Sequence, residues 1–279
     1  MGNSRSKIKV MPLEMVCDND PSLYVGDVIQ KKKKGQVIYV KSGQGKQIWN
    51  DDSTYLGSFK DDEIHGNGTI TYSNGSIYTG QWDHGVRHGR GKLISVDGSC
   101  YEGEWKYDEQ DGKGTLHYDN GDYYVGDFKI NTLCGAGKLY NSQKQKIYKG
   151  EWFNNQFHGK GKYFFTNGKV QFDGNWCQSY AHGIGIHYKE DGKVREFGVF
   201  ENGVFVKDLV QEIYYVLQDY VNSDEYLYCV DASNNLVLED DVLEWVSQTY
   251  ISPCRIGVKT PPICSGVEDL DDEQEHGLL

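Results

Sequence analysis

One five-residue pattern constrains the fold of this 279-residue chain more than any other feature. It consists of an aromatic residue, a glycine two positions later and a second aromatic residue two positions after that. Its six copies begin 23, 23, 23, 24 and 24 residues apart, and they read YLGSF (55–59), YTGQW (78–82), YEGEW (101–105), YVGDF (124–128), YKGEW (148–152) and FDGNW (172–176). A period of this length predicts one small supersecondary unit that stacks on copies of itself.

A pair of glycines follows in every unit, and the first of the pair lies nine residues after the glycine of the aromatic pattern. These pairs read HGNG (65–68), HGRG (88–91), DGKG (111–114), CGAG (134–137), HGKG (158–161) and HGIG (182–185). Most units then end in a turn signal, such as SNG (73–75) or VDG (96–98). The fourth unit has NSQKQK (141–146) instead, which predicts a longer turn or another turn type.

Each unit is predicted to form one β-hairpin. In the second unit, alternation places Tyr78, Gly80 and Trp82 on one face of the first strand and the intervening residues on the other. A glycine between two aromatic residues leaves room for a side chain of the neighbouring strand to lie across it. The second strand is predicted over residues 92–96, and a turn then returns the chain to the next hairpin.

Repetition of this hairpin predicts one continuous antiparallel meander. A seventh, worn copy of the pattern, EFGVF (196–200), begins another 24 residues on, with Glu196 in place of the leading aromatic residue. The repeat array is therefore predicted to cover residues 55–205.

A fainter copy precedes the array. Tyr24, Gly26 and Val28 keep the spacing of the pattern, and Gly35 follows Gly26 at the nine-residue interval. The distance from Tyr24 to the next unit is 31 residues rather than 23. We predict a degenerate repeat followed by a short insertion over residues 24–54.

These residues resemble the MORN repeat, the "membrane occupation and recognition nexus" motif, whose pattern is Y-x-G-x-W followed by H-G-x-G. Departures occur where Asp111 and Cys134 replace the histidine. The resemblance implies an all-β repeat fold, an elongated, curved, single-layer antiparallel sheet of hairpins that acts as a scaffold. It does not imply catalysis.

The distribution of charge argues against a nucleic-acid-binding protein. Residues 1–54 carry a net charge of +3, residues 55–205 carry −2 and residues 206–279 carry −13, which together give the net charge of −12. A general nucleic-acid-binding protein needs an extended basic face. Seven cysteines without a CxxC pair, and without a preceding hydrophobic signal segment, predict reduced thiols in a cytosolic compartment.

No enzymatic activity, metal site or cofactor is predicted. The glycine pairs lead into β-rich runs, whereas a phosphate-binding loop leads into a helix. The histidines His65, His88, His158 and His182 occupy equivalent positions in the repeat. Such positions in adjacent hairpins lie about 9–10 Å apart, too far for neighbouring units to share a zinc ion, so hydrogen bonds to turn carbonyls are expected instead. No catalytic motif follows residue 205.

The leading aromatic residues are the candidates for binding a partner. A single-layer sheet has no second layer to cover one face, and a long exposed apolar stripe usually marks a binding surface. We define the leading aromatic row as Tyr78, Tyr101, Tyr124, Tyr148 and Phe172. A groove along this row is expected to take a helix or an extended segment of a protein in a cytoskeletal, ciliary or cortical assembly, and a homodimer is also compatible. The alternative is that these rings only pack against each other across adjacent strands.

The N-terminal segment, residues 1–23, supports a second hypothesis. It begins MGNSRSK, in which Gly2 and Ser6 fit the myristoylation pattern. One acyl chain anchors only marginally, so stable attachment needs a basic patch as well. The candidates for that patch are Arg5, Lys7, Lys9, Lys31, Lys32, Lys33 and Lys34. On this hypothesis the chain is a peripheral tether that binds anionic phospholipid at the cytoplasmic face of a membrane. The alternative is that Lys31–Lys34 form a solvated run in the loop of the first hairpin.

The last part of the chain is predicted to close the array. Apolar residues recur at helical spacing over residues 206–221 and again over 239–250, with a short hairpin between them. Because the ends of a repeat array expose unpaired strand edges, we predict a helical C-terminal cap over residues 206–251. Residues 252–279 are acidic and predicted to be a flexible tail.

Overall fold

The computed structural model describes residues 15–17, 20–33, 35–209, 228–230 and 236–238. Strands and the turns between them make up this part of the chain, and no helix occurs in it. The chain divides into two compact units. The first comprises residues 1–123 and 128–131, and the second comprises residues 124–127 and 132–279.

The first unit is built from nine strands and part of a tenth. Their bounds are β1 Met15–Cys17, β2 Asp20–Lys33, β3 Gln36–Ile48, β4 Thr54–Lys60, β5 Glu63–Thr71, β6 Ile77–Asp83, β7 Val86–Ile94, β8 Cys100–Lys106, β9 Glu109–His117 and β10 Tyr123–Lys129. From β1 to β9, each strand pairs antiparallel with the next. The prediction of an all-β array of hairpins is confirmed.

The second unit continues the same pattern. Its strands after β10 are β11 Thr132–Tyr140, β12 Lys146–Phe153, β13 Gln156–Phe164, β14 Val170–Cys177, β15 Tyr180–Tyr188, β16 Val194–Glu201 and β17 Val204–Asp208. They also pair antiparallel in chain order. In both units the second strand of a hairpin starts earlier than predicted, since β7 begins at Val86 and includes the glycine pair.

The predicted C-terminal cap is only partly within the described residues. Residues 206–208 belong to strand β17, so the prediction of a helix that starts at residue 206 is wrong there. The rest of the two predicted helices and the acidic tail lie outside the described residues. Two short strands, β18 (Tyr228–Val230) and β19 (Leu236–Leu238), pair antiparallel, as the sequence predicted for this segment. Among the described residues, no helix has the length and apolar character needed to cross a membrane.

The change from a 23-residue to a 24-residue period is absorbed by a β-bulge. Where the period is 23, Ile70 pairs with Tyr78 and Thr71 with Ile77, without interruption. In the fourth repeat, which begins at Tyr124, Leu139 pairs with Tyr148 but Tyr140 pairs with Lys146, which leaves one residue of β12 unpaired. The same irregularity recurs in the next two repeats, at Tyr163/Phe164 and at His187/Tyr188. One extra residue per unit is what a bulge accommodates.

The turn that ends the fourth repeat is not longer than the turns of the other repeats. Lys144 takes the place of the turn glycine, with a φ of 62°, and its amide donates to the carbonyl of Asn141 over 2.9 Å. In the unit that begins at Tyr55, Gly75 donates to Tyr72 over the same distance. The prediction of a longer turn or another type is therefore wrong, and the extra residue is the bulge instead.

The insertion near the N-terminus lies inside a hairpin rather than after it. Gly26 pairs with Gly45, and Gly43 has the positive φ that the first glycine of each pair adopts elsewhere. Gly35, which the spacing suggested for this role, is in the turn at the hairpin tip. The interval from Gly26 to Gly43 is 17 residues rather than nine, so the eight extra residues lengthen β2 and β3.

The core of each hairpin from Tyr24 to Phe172 is a leading aromatic ring, a tyrosine in all but the last, laid over two glycines. In the second repeat, Gly80 on β6 pairs with Gly91 on β7, and the phenol of Tyr78 covers both. A methyl group on either glycine would overlap the Tyr78 hydroxyl. The ring that covers the glycine thus comes from the same strand, not from the neighbouring strand as predicted. This packing gives a single-layer sheet a buried core.

We expect Gly91→Ala to destabilise the protein because its methyl group would collide with the Tyr78 ring. Overpacking of this kind costs about 1–3 kcal/mol, which equilibrium unfolding in urea measures. In a Tyr78→Leu background the obstructing phenol is gone, so the cost of the same alanine should fall. Strictly additive effects in this double-mutant cycle would contradict the packing described.

Candidate functional site: the aromatic face

The face that carries the Tyr, Gly and Trp of each repeat, here called the aromatic face, is a ladder of edge-to-face rings. In the first unit the ring centre of Tyr55 lies 5.2 Å from that of Phe59 and 5.6 Å from that of Trp82. The ring centre of Tyr78 lies 5.1 Å from that of Trp82 and 5.2 Å from that of Trp105. All four pairs of rings are nearly perpendicular. Edge-to-face pairs at these separations add about 0.5–1.5 kcal/mol each beyond burial. Tyr55 and Tyr78 therefore each bridge their own hairpin and the next.

The second unit repeats the ladder. Tyr148 meets Trp152 at 5.4 Å and Trp176 at 5.5 Å, both nearly perpendicular, and Phe172 meets Trp176 at 5.1 Å. The Trp176 indole also donates to the carbonyl of Gly161 over 2.9 Å. These contacts fix the rings in one arrangement.

Each leading tyrosine also satisfies its hydroxyl within its own strand. The hydroxyls of Tyr24, Tyr78, Tyr101 and Tyr148 donate to the carbonyl three residues later, over 2.8–3.0 Å. Burial raises the pKa of Tyr24 and of Tyr55 to about 12, and it raises the pKa of Tyr78, Tyr101 and Tyr148 further. The phenols are neutral, structural groups.

The leading aromatic row is consequently enclosed by the protein's own side chains. Its tyrosines are between 0 and 2 % exposed and Phe172 is 6 % exposed. This burial agrees with the second interpretation of the row, in which the rings pack against each other across adjacent strands. Contact of these five rings with a partner stays a prediction, and a partner would also meet the less buried residues beside them.

Those neighbouring residues were not identified from the sequence. They lie on the second strand of each hairpin, directly opposite the leading or second aromatic residue, and so share the aromatic face. In the first unit Leu93 lies opposite Tyr78, and Leu116 opposite Tyr101. In the second unit Phe157 lies opposite Trp152, and Tyr163 opposite Tyr148. All four of these second-strand residues are half-buried. Side chains alternate between the two faces of the sheet along the second strand, so the start of that strand determines which of its residues share the aromatic face.

Arg87 is specific to its repeat and is held in place by internal contacts. Its guanidinium lies 4.3 Å from the centre of the Trp105 ring and 5.7 Å from that of Tyr78. Its Nε donates to Oδ1 of Asp108 over 3.0 Å and its Nη2 donates to the Asp108 carbonyl over 2.7 Å. Only 19 % of its side chain is exposed. Arg87 thus caps the ladder with a cation–π contact.

Asp108 belongs to a turn that clamps one hairpin to the previous one. Its amide donates to the carbonyl of Arg87 over 3.0 Å, and its Oδ1 accepts from the Arg87 amide over 2.8 Å. Asn131 and Asn155 make the same pair of bonds in later turns, to Gln110 and Leu133. These reciprocal bonds fix the register between successive hairpins.

Only part of the predicted basic patch lies within the described residues. Gly2, Arg5, Lys7, Lys9 and Lys34 lie outside the described residues. Lys31, Lys32 and Lys33 are exposed and belong to strand β2, so their prediction as loop residues is wrong. The Lys31 ammonium bonds Oδ1 of Asp61 over 2.6 Å and lowers the pKa of that carboxyl.

The cysteines differ from one another in bonding. Neither Cys100 nor Cys134 is in a disulfide, as the expectation of reduced thiols requires. Cys177 is disulfide-bonded, so that expectation is wrong at this position.

Comparison with known families finds the MORN repeat in four places. The family model of the MORN repeat matches residues 55–77, 78–100, 101–123 and 148–170. The repeats that begin at Tyr124 and Phe172 fall outside these matches. No curated protein matches the chain.

Solved structures of TCP domains show weak similarity. The wild-type TCP10 domain of Danio rerio CPAP in complex with a peptide of Danio rerio STIL has 11% identity and a TM-score of 0.31, and the match covers 64% of this chain and 76% of that one. The TCP domain of SAS-4 (dCPAP) of Drosophila melanogaster, in complex with a proline-rich motif of Ana2 (dSTIL), has 10% identity and a TM-score of 0.30, over 68% of this chain and 90% of that one.

We expect Asp108→Ala to destabilise the clamp and Asp108→Asn to preserve most of it. Alanine leaves the Arg87 amide without its acceptor and keeps a side chain at a φ of 68°, which together cost about 1–3 kcal/mol. Asparagine supplies the acceptor that Asn131 and Asn155 supply in other turns. Equal losses for the two variants in equilibrium unfolding would show that the side-chain acceptor does not matter.

Proposed function

The chain is a MORN-repeat protein, and on that premise we propose that it is a non-catalytic scaffold whose aromatic face binds a protein partner. The observation that carries the proposal is the line of half-buried apolar residues on that face, such as Leu93 and Leu116, beside rings packed edge to face. A cytoskeletal, ciliary or cortical assembly is the setting we propose.

A rigid face favours binding because little order is lost when a partner docks. The ladder holds Tyr78 and Tyr101 in fixed positions, with hydroxyls bonded and rings in edge-to-face contact. Association loses less free energy when the contact residues are already ordered. The half-buried neighbours add apolar surface that a partner can cover, which is the usual composition of an interface centre.

The spacing of the face suits a helical partner. Equivalent positions in successive hairpins, such as Leu93 and Leu116, are two strands and thus about 9–10 Å apart. Seven residues of an α-helix rise about 10.5 Å, so a helix laid across the strands presents one apolar residue per hairpin. We propose an amphipathic helix with apolar residues at this interval as the first candidate, and an extended segment as the second.

The opposite face of the first unit offers a weaker case. Its side chains bond each other across strands, as Gln44 does with Ser58 over 2.8 Å and Thr69 with Thr79 over 3.0 Å. Lys92 and Glu102 form an ion pair of 3.1 Å on the same face. A partner there would have to displace polar contacts that are already satisfied.

A photo-crosslinking amino acid at position 116 tests the proposal, with the same amino acid at position 94 as the control. Leu116 is on the aromatic face, whereas Ile94 pairs with Cys100 on the opposite face and is 42% exposed. We expect one defined protein to crosslink from position 116 and not from position 94. The double variant Leu93→Gln and Leu116→Gln should weaken its binding at least about tenfold, or 1.4 kcal/mol.

The unfolding transition of that variant controls for loss of the fold. Crosslinks that are the same from both positions, or binding unchanged in the double variant, would contradict the use of the aromatic face.

A second candidate function is a peripheral membrane tether. The long hairpin of β2 and β3 favours it, because Lys31 and Lys32 pair across the strands with Ile38 and Val37, and Tyr39 beside them is 42% exposed. Exposed apolar residues beside lysines are the combination that binds anionic membrane surfaces. A myristoyl group on Gly2 would supply the second signal.

We expect the tether to be visible in two measurements. Mass spectrometry of the protein from eukaryotic cells should find myristate on Gly2, and phosphatidylserine vesicles should bind the protein less as salt rises. Lys32→Glu with Lys33→Glu should reduce that binding, whereas Lys92→Glu on the repeat array should not. An unmodified Gly2 together with salt-independent binding would exclude this function.

A further inference from the structure

We propose that His65, Asp83 and His84 form a binding site for a divalent transition-metal ion of the zinc class. His65 is on β5, Asp83 ends β6, and His84 is the first residue of the two-residue turn into β7. The amide of Gly85, the second turn residue, donates to the carbonyl of Ile64 over 2.9 Å. This bond holds the turn beside His65 and so brings the three side chains together.

The distances between the donor atoms are close to those of a metal site. Oδ1 of Asp83 lies 3.2 Å from Nδ1 of His65 and 2.7 Å from Nδ1 of His84. All three ligand atoms lie within 4.8 Å of one another. Zinc binds such nitrogen and oxygen atoms at about 2.0–2.2 Å, which puts tetrahedral ligands roughly 3.3–3.5 Å apart. Small side-chain rotations therefore suffice to enclose an ion.

An unsatisfied nitrogen is available to a ligand beside this cluster. Nδ1 of His65 is buried and has no hydrogen-bond partner among the described residues, although Asp83 is near, because the contact is not aligned as a hydrogen bond. Buried polar atoms are rarely left unpaired, and a metal ion would use this lone pair. His84 and Asp83 are 68% and 44% exposed at their side chains, so an ion can reach the site and keep water ligands.

The site is particular to one pair of successive hairpins. Two of the three other histidines at the equivalent position, His88 and His182, also have an unpaired Nδ1, so this feature alone does not mark a site. The next turn, however, brings Tyr107 rather than a carboxylate and an imidazole against His88. The absence of a metal was predicted because such histidines are two strands apart. The turn residues lie only one strand away, so they bring ligands closer than the spacing of the histidines does.

The donor set selects the kind of ion. Two imidazoles and one carboxylate suit zinc and its neighbours in the transition series, whereas magnesium and calcium prefer oxygen ligands only. Three protein ligands leave a tetrahedral ion with one further position for water or for a donor from a bound partner. The ion would pin the turn at His84 to the preceding hairpin, where Gly85 lacks the side-chain clamp that Asp108 provides in the next turn.

Calorimetric titration of the tag-free full chain with zinc chloride, in a buffer that does not chelate metals, tests the site. We expect one saturable ion per chain, and no binding of magnesium at the same concentration. His84→Asn should weaken zinc binding at least about tenfold, since even residues beyond the ligands change metal affinity by 10–100-fold. His84 has a φ of 47°, and Asn154 occupies the equivalent turn position at 49°, so this variant should fold normally.

Asp83→Asn should also weaken binding, and His88→Ala is the matched control that should leave it unchanged. Unfolding transitions in the presence of a chelator confirm that the variants retain the fold. The site is refuted if the unmodified chain does not bind zinc saturably, if His84→Asn binds as tightly as the unmodified chain, or if His88→Ala weakens binding equally.

Discussion

The fold depends on a tyrosine ring that lies flat on its own backbone. Each leading tyrosine covers a glycine in its own strand and the glycine paired with it, and its hydroxyl donates a hydrogen bond to the carbonyl three residues on. A sheet with a single layer has no opposing layer to exclude water. Here the side chains of one face exclude it, because the absence of two Cβ atoms lets a large ring sink to the level of the main chain. Rings from successive hairpins then support each other.

This arrangement explains which parts of the structure could be predicted from the sequence. The pattern of Tyr, Gly and Trp is local and periodic, so the hairpins, their faces and their order followed from alternation and spacing. The covering of the glycines by Tyr78 of the same strand could not be predicted, because spacing alone does not say which way a ring turns. The insertion was misplaced because Gly35 fits the nine-residue interval, whereas the actual pairing of Gly26 with Gly45 is a long-range contact.

The candidate site was predictable to a smaller extent. The sequence drew attention to the leading aromatic row, which proved almost fully buried and in that respect structural. The residues that remain accessible on the face, such as Leu93 and Phe157, are not part of the repeated pattern and vary in type from hairpin to hairpin. Repeat proteins keep the residues that build the unit and vary those beside them. The features with individual chemistry, Arg87 over Trp105 and the cluster that Asp83 and His84 form with His65, likewise depend on residues outside the repeated pattern.

The turn clamps have a consequence for how the chain acquires its structure. Each reaches back only 21 or 22 residues, as from Asp108 to Arg87 or from Asn155 to Leu133. A nascent hairpin can therefore dock on the finished one before it as soon as it is synthesised, without waiting for distant sequence. Contacts this local cost little loop-closure entropy, which favours rapid folding by accretion from the N-terminal side. During synthesis the growing sheet would expose only one new edge at a time, and the next hairpin to emerge would cover it.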